Sequence, residues 1–458
     1  MTKRRKINAR EASLYALTKV AEEGAYANLA LAEVLSAYTM DSRDRKLATE
    51  ITYGVITYQL TLDWLIKQIT GRPAQKLDRP VLHALRIGFY QLFYLDRIPV
   101  PAIVYSTVEL IKKGKKRALA SFVNGVMRGA IRKKDTLAWP DAKKNPLDYL
   151  VLRYSHPPWL VKRWLKRLGR AETEKLLVAN NTTPPTSIRV NTLRTDSLQL
   201  IASLEQEKIT AAPSSIVPDG LVVEKGGKLG ALSAYRSGLF QIQGESAMLT
   251  SHILQPMPGA KVLDGCSAPG GKTTHLAQLM NNTGQIIALD LYEHRLALVE
   301  AAAKRLGIKI IETKCADIAR FCPQNREKFD YILIDVPCSG LGVIWRKPDI
   351  KWRRQEKDIE ALSQIQSQII NAAATALKPG GMLVYSTCTN EPEETNGQIE
   401  RFLATHPEFV PLNFSSALPP SWADSMGSRG IHLYPHLHQV DGFFIAKLQK
   451  THSGKVKG

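Results

Sequence analysis

From about residue 240 onward, short apolar runs alternate with amphipathic segments of helical period, and this alternation constrains the fold more than any other feature of the chain. The runs lie at 261–264, 285–290, 309–312, 331–335, 381–386 and 442–448. Strands that are apolar throughout must be covered on both faces. The pattern therefore predicts a doubly wound, Rossmann-like α/β domain built on a parallel sheet. In such a sheet ligands bind in the crevice outside the carboxyl ends of the strands. The residues just past each run become the candidates for chemistry.

Past the first run stands Asp264-Gly265-Cys266-Ser267-Ala268-Pro269-Gly270-Gly271-Lys272-Thr273-Thr274, leading into an amphipathic helix. Glycines let the backbone turn tightly and approach a ligand, and the amides of the helix N-terminus face it. Asp290 ends the second run, where a carboxylate can accept hydrogen bonds from ribose hydroxyls. Asp317 follows the third run, within reach of an adenine amino group. One Asp at such a place is often only a helix cap; three at successive strand ends form a pattern. Gly271-Lys272-Thr273 resembles the end of a phosphate-binding P-loop, but Cys266 stands where that motif needs its first glycine. The dinucleotide fingerprint is missing as well. Acids for ribose and adenine with no pyrophosphate clamp suit S-adenosylmethionine.

Two thiols occupy later strand ends: Cys338 in Asp335-Val336-Pro337-Cys338, and Cys388 after Ser386-Thr387. Distant in sequence, they can share one pocket if both strands belong to one sheet. Either thiol alone has a plainer explanation, because free cysteine usually behaves as a small buried hydrophobe. Two of them beside a carboxylate and a glycine turn suggest covalent chemistry on a ring.

The region before residue 240 is different. Apolar residues recur at helical spacing through 11–23, 44–65, 80–95, 102–113 and 118–132, for example Val81, Leu82, Leu85, Phe89, Leu92 and Phe93. This describes an all-helical domain over about 1–140. Trp139-Pro140 and Asn145-Pro146 mark a linker. A small α+β module follows over 145–240, with a basic helix at 159–167 and strands near 187–191 and 220–224. The α/β domain takes 241–450, and 451–458 reads as a basic, disordered tail.

The chain carries 62 Lys and Arg against 42 Asp and Glu, a formal net charge of +20. An excess of that size, recurring along the chain, points to a polyanion, with nucleic acid ahead of a membrane surface. Lys112, Lys113, Lys115, Lys116 and Arg117 form one basic run, and Lys162 and Arg163 lie in the basic helix. A charge run is often just a solvated face; here these residues are the candidates for phosphate contact. No stretch is apolar enough for a membrane span and no secretory signal opens the chain. A cytoplasmic protein is expected, with a monomer as the default. Five cysteines without a CxxC pair imply free thiols, neither a disulfide framework nor a cysteine metal site, and no metal is expected.

The motifs at 264–274, 335–340 and Ser386-Thr387-Cys388 together resemble the Nop/Sun group of RNA 5-methylcytosine methyltransferases. The helical leader, chiefly through Ile87-Gly88-Phe89-Tyr90-Gln91-Leu92 and Val123-Asn124-Gly125-Val126-Met127-Arg128, resembles an RNA-binding NusB domain, and 150–240 resembles the family's RRM-like segment. Such a leader is similar to the branch that acts on a cytosine of 16S ribosomal RNA rather than to most tRNA-directed relatives. The resemblance implies S-adenosylmethionine held by Cys266, Ser267, Ala268, Pro269, Gly270, Gly271, Lys272, Asp290, Arg295, Asp317 and Asp335. It further implies Cys388 as the nucleophile on carbon 6 of the base, Asp335 at the base edge and Cys338 assisting release. In place of the family's common alanine pair the chain has Cys266-Ser267-Ala268, and the small serine should fit the loop unaltered.

Other readings stay open: a tRNA-directed methyltransferase, a non-catalytic RNA-binding assembly factor that keeps the fold, and a DNA cytosine methyltransferase in which the Pro-Cys thiol attacks. The presence of Asp335, Cys338 and Cys388 weighs against the second. Thr387-Cys388 and the helical leader weigh against the third.

Overall fold

A computed structural model describes residues 5–452. Contacts divide the chain into two compact units, one comprising the residues up to Thr182 together with Ile344–Arg354, the other Thr183–Val343 and the residues from Gln355. The first division therefore falls later than the linker at 139–146. Helices Pro146–Tyr154 and Pro158–Asn180 join the helical unit because Ser155 Oγ accepts from Leu60 N at 3.0 Å and the Thr61 hydroxyl donates to Leu152 O at 2.6 Å.

In the helical unit, Asn8 opens the helix Ala9–Glu22 with a capping box, its side chain accepting from Glu11 N while Glu11 Oε2 accepts from Asn8 N. The expected single helix at 44–65 is two, Ser42–Thr57 and Gln59–Thr70, because Tyr58 leaves helical geometry at φ −102°, ψ 20°. Ala27–Ala37 is a helix that the sequence pattern did not reveal. The helix Arg79–Tyr94 runs through the core, and Gly54 meets its Tyr90 ring so closely that a Cβ would lie 1.9 Å from Tyr90 Cζ. Arg86 and Asp63 form a bidentate pair at 2.7 Å for both bonds. The late segment Ile344–Arg354 is bound in by Trp352 Nε1 donating to Ile56 O at 2.7 Å and by Ala27 N donating to Asp349 Oδ2 at 3.3 Å. Gly169, at φ 74°, ψ 175°, interrupts the basic helix.

The second unit holds two sheets. Strands β1 (Thr186–Val190), β2 (Thr210–Pro213), β3 (Gly220–Lys225) and β4 (Phe240–Ile242) form an antiparallel sheet in the order β2-β3-β1-β4. The larger sheet contains β5 (Lys261–Asp264), β6 (Gln285–Asp290), β7 (Ile311–Cys315), β8 (Phe329–Asp335), β9 (Leu377–Thr387), β10 (Phe409–Pro411), β11 (Ile431–Leu433) and β12 (Phe443–Lys450). Its order is β10-β12-β9-β8-β5-β6-β7, with β11 paired to β12. Strands β5 to β9 are parallel and β12 runs antiparallel to β9. Burial alternates as strand pleating requires: Ile332 and Ile334 join one core layer with Leu263 and Leu383, and Leu333 joins the other with Val262 and Val384. The third strand begins at Ile311, two residues later than its apolar pattern suggests. Lys450 closes β12 and Thr451 N donates to Glu408 O at 2.7 Å, so Thr451, read as the first residue of the tail, is held in place; 453–458 of that expectation lies outside the described residues.

Candidate functional site

The larger sheet reverses winding direction beside β5: the chain proceeds to β6 and β7, then returns to lay β8 on the other flank. The carboxyl ends of β5 and β8 thus meet at a topological switch point, and they carry Asp264 and Asp335. A cavity of about 210 Å³ opens there, lined by Asp264, Cys266, Ser267, Ala268, Pro269, Gly271, Lys272 and Asp335 from the motifs, with Gln241, Ile242, Gln243 and Ala247 completing the wall. Gly270, Asp290, Arg295 and Asp317 are not part of that wall. Gly270 has φ +96° and a Cβ there would come within 2.9 Å of Val299 Cα, so the turn admits only glycine without displacement. Arg295 bridges Asp290, at 3.2 Å, and Ala268 O, at 3.1 Å, tying the glycine loop to the end of β6. Asp317 is exposed and caps the short helix Ile318–Phe321 by accepting from Ala319 N at 2.9 Å.

Asp264 is 1 % exposed. Its Oδ2 accepts the Thr273 hydroxyl at 2.7 Å, whereas Oδ1 has no hydrogen-bond partner. Burial pushes its carboxyl up to about 6, against the Thr273 hydrogen bond and the charge of Lys272. An unpartnered buried acceptor on the wall of a cavity is what a ligand donor would satisfy. Burial likewise raises the Cys266 thiol. Lys272 Nζ donates to Asp335 Oδ2 at 2.6 Å and lies 5.0 Å from the centre of the Phe443 ring. The other carboxylate oxygen, Asp335 Oδ1, accepts the Ser386 hydroxyl at 2.8 Å, across the register that pairs Asp335 with Ser386.

The same pairing brings the two thiols together. Cys338 Sγ and Cys388 Sγ are 3.2 Å apart, both partly exposed. The Cys338 thiol is raised well above its ordinary value, first by its hydrogen bond with Cys388 and then by burial. Neither sulfur belongs to the 210 Å³ cavity wall; Asp335, three residues before Cys338, does. A buried network fixes the loops that carry the thiols. Glu394, 0 % exposed, accepts from Ser339 N at 2.8 Å, the Ser339 hydroxyl at 2.5 Å and Gln366 Nε2 at 2.9 Å, and burial raises its carboxyl. Gln366 Nε2 also donates to Pro337 O at 2.9 Å, and the Ser339 hydroxyl lies 2.9 Å from Thr389 Oγ1. Gly342 N donates to Cys388 O at 3.0 Å.

Sequence reasoning passed over Glu394 and Gln366, which lie in ordinary polar surroundings with no local motif. It also passed over Arg189, whose charge inside the apolar β1 run was a usable signal. Arg189 is 1 % exposed and donates to Gly271 O at 2.7 Å, Thr274 Oγ1 at 3.0 Å and Gln243 Oε1, bracing the first turn of the helix Gly271–Leu279.

Of the basic candidates, Lys112, Lys113, Lys115, Lys116 and Arg117 are all exposed at the end of the helix Val100–Lys112 and beyond it. Lys112 pairs with Glu109 at 3.0 Å, Lys113 with Glu11 at 3.4 Å and Lys116 with Asp78 at 2.8 Å. Lys162 is exposed and Arg163 half-buried, while the neighbouring Trp164 is a core residue at 2 % exposure.

The sheet, its switch-point cavity and the acid-flanked glycine loop define a Rossmann-like methyltransferase domain carried on a multidomain chain. Family models match three successive regions: the NusB family over 7–132, the RsmF/B-like ferredoxin-like domain over 156–229, and 16S rRNA methyltransferase RsmB/F over 251–449. The chain is 36% identical over 449 residues to a probable ribosomal RNA small subunit methyltransferase B of Bacillus subtilis, covering 97% of this chain and 99% of the relative. It is also 36% identical over 451 residues to ribosomal RNA small subunit methyltransferase B of Klebsiella pneumoniae, covering 98% and 99%. Among solved structures, that of PH0851 superposes with a TM-score of 0.82 at 30% identity, covering 98% of this chain and 100% of that one. NSun6 from Pyrococcus horikoshii, solved with SFG, gives 0.58 at 28% identity over 65% of this chain and 99% of that one. The chain belongs to the RsmB/F family of 16S rRNA methyltransferases. No helix among the described residues is long and apolar enough to cross a membrane.

Proposed function

We propose that the protein methylates carbon 5 of a cytosine in 16S ribosomal RNA, with S-adenosylmethionine as methyl donor and Cys388 as covalent nucleophile. The observation that carries this reading is the 3.2 Å approach of Cys338 and Cys388 sulfurs beside Asp335 at the switch point. Family membership and a structural neighbour solved with SFG, an S-adenosylmethionine analogue, support the donor. The residues for holding it are Cys266 to Lys272, Asp290, Arg295, Asp317 and Asp335, with the free Asp264 Oδ1 offering a further acceptor. The bound donor supplies a methyl group on a sulfonium.

Carbon 5 of cytosine is a poor nucleophile until carbon 6 is saturated. The Cys388 thiolate adds to carbon 6, and the electron pair of the 5,6 double bond becomes available at carbon 5. Cys338, its thiol raised well above the ordinary value, keeps its proton at this step, with its Sγ 3.2 Å from the Cys388 sulfur. Asp335 stabilises the charge developing at N3 and the exocyclic amine, through a proton held between the carboxyl and N3. Ser386 and Lys272 fix its orientation. After methyl transfer the carbon 5 proton passes to a base, its electron pair re-forms the 5,6 double bond, and the carbon–sulfur bond breaks so that Cys388 leaves as thiolate, with Cys338 beside the departing sulfur to assist release.

The helical region 1–140 and the α+β segment 145–240 are proposed as the RNA-binding parts ahead of the catalytic domain 241–450. Lys112, Lys113, Lys115, Lys116, Arg117, Lys162 and Arg163 would supply phosphate contacts. The base enters by leaving its stack, which costs a few kcal/mol and least in a single-stranded region. The test is transfer of labelled methyl to 16S RNA by wild type and Cys388→Ser, with binding of S-adenosylmethionine followed separately. Loss of transfer with binding intact is expected; undiminished turnover removes Cys388 as nucleophile. Bisulfite sequencing of ribosomal and transfer RNA from a deletion strain separates the 16S reading from the tRNA-directed one.

A further inference from the structure

A second polar cluster lies away from the cavity wall. The loop ahead of β3, the helix Glu245–Leu254 and the helix Gly271–Leu279 contribute Asp219, His252 and His275. His252 Nε2 is 2.7 Å from Asp219 Oδ1 and His275 Nε2 is 2.9 Å from Asp219 Oδ2. The two imidazole rings meet edge to face with centroids 4.8 Å apart. One ligand atom from each residue lies within 4.8 Å of the others.

Hydrogen bonding accounts for only part of this arrangement. His275 is 0 % exposed, yet neither ring nitrogen has a hydrogen-bond partner. Its Nε2 faces Asp219 Oδ2 at 2.9 Å, an oxygen to which Gln278 Nε2 already donates at 2.9 Å, and nothing faces its Nδ1. An imidazole buried with both nitrogens unused bears the full cost of an unpaired polar group. A cation between the three side chains takes a lone pair from each, which satisfies one of the two His275 nitrogens.

We propose that Asp219, His252 and His275 bind a zinc ion. Two imidazoles and one carboxylate form a borderline-soft set suited to tetrahedral zinc, with water as the fourth ligand. Bonds of about 2.0–2.2 Å place tetrahedral ligand atoms roughly 3.3–3.5 Å apart, so loading lengthens the 2.7 and 2.9 Å approaches and draws in any pair that lies nearer 4.8 Å. His252, with 19% of its side chain exposed, gives the ion a route in. The role is structural. The helix bearing His275 also bears Lys272, Thr273 and Thr274, so the ion would fasten the cavity's helical wall to the loop ahead of β3. Inspection of cysteine spacing could not reveal this site, because its ligands are scattered over a loop and two helices.

The full chain, stripped with a chelator and dialysed, is titrated with Zn²⁺ against a chromophoric chelator, and with Co²⁺ to read the ligand field. The expected result is one zinc per chain and a tetrahedral cobalt spectrum lacking a thiolate charge-transfer band. Asp219→Asn should lose the ion, and His252→Ala, at the most exposed ligand, should weaken it by roughly tenfold or more with an unchanged circular dichroism spectrum. The double variant Cys338→Ser, Cys388→Ser should keep it. Absence of zinc binding by wild type overturns the proposal, as does zinc that survives His252→Ala but is lost with the two thiols.

Discussion

Asp264 gives a stability experiment whose size follows from its surroundings. The carboxyl is held at about 6 in the folded chain against its ordinary value of 3.8, and burial is the main cause. An acid whose folded value is raised binds its proton more tightly when folded. Below the unfolded value both states are protonated and the group contributes nothing; as pH rises through 3.8 towards 6 the unfolded chain ionises first and the fold loses stability, and above 6 the loss is constant. A shift of about two units corresponds to roughly 3 kcal/mol at neutral pH. Asp264→Asn removes the ionisation while keeping an oxygen for the Thr273 hydroxyl. The difference in unfolding free energy between variant and wild type should therefore move in the variant's favour by about 2 kcal/mol between about pH 4.5 and pH 7.5. Urea unfolding of the ligand-free protein at the two pH values measures it, and taking the difference cancels the titration of other groups. A difference that stays flat with pH would show that Asp264 titrates normally and that the buried, half-paired carboxylate has been misread.

Three more outcomes are expected. Cys338→Ser should accumulate a covalent protein–RNA adduct, seen as a slow-migrating band on a denaturing gel, whereas clean turnover would make Cys338 a packing residue. Glu394→Ala takes the carboxylate acceptor from the Ser339 amide and one hydrogen bond each from the Ser339 hydroxyl and the Gln366 amide, which keep Thr389 Oγ1 and Pro337 O, so chemical denaturation should show a loss of about 2 kcal/mol. Arg189→Met should weaken binding of S-adenosylmethionine, measured calorimetrically, more than it changes the rate at saturating donor, because Arg189 braces the first turn beside the cavity rather than touching the base.

The sheet was legible because its strands are apolar throughout and the acids, glycines and thiols fall where those runs end. Asp264, Asp335, Cys338 and Cys388 could be placed together on topology alone. What the pattern could not show was partnership between distant polar residues. Glu394 is one acid in Glu391-Pro392-Glu393-Glu394 and nothing local says that Glu391 and Glu394 are buried while Glu393 is not. Asp317 has the position of an adenine-facing acid, and its exposed side chain caps a helix. The break at Tyr58 escaped notice because apolar residues continue at helical spacing on both sides of it. Trp164 stands among basic residues in the sequence, but its periodicity with Leu160 and Val161 is that of a core face.

The placement of Ile344–Arg354 within the helical unit has a consequence for biogenesis. Ala27 N, Ile56 O and the slot for Trp352 must wait for a piece of polypeptide encoded far downstream. At about 5–20 residues per second the ribosome needs roughly 8–30 s to synthesise the intervening 183–343 stretch. During that interval the emerging helical unit is one clasp short of complete, so its final closure is tied to the translation of sequence lying between Cys338 and Cys388.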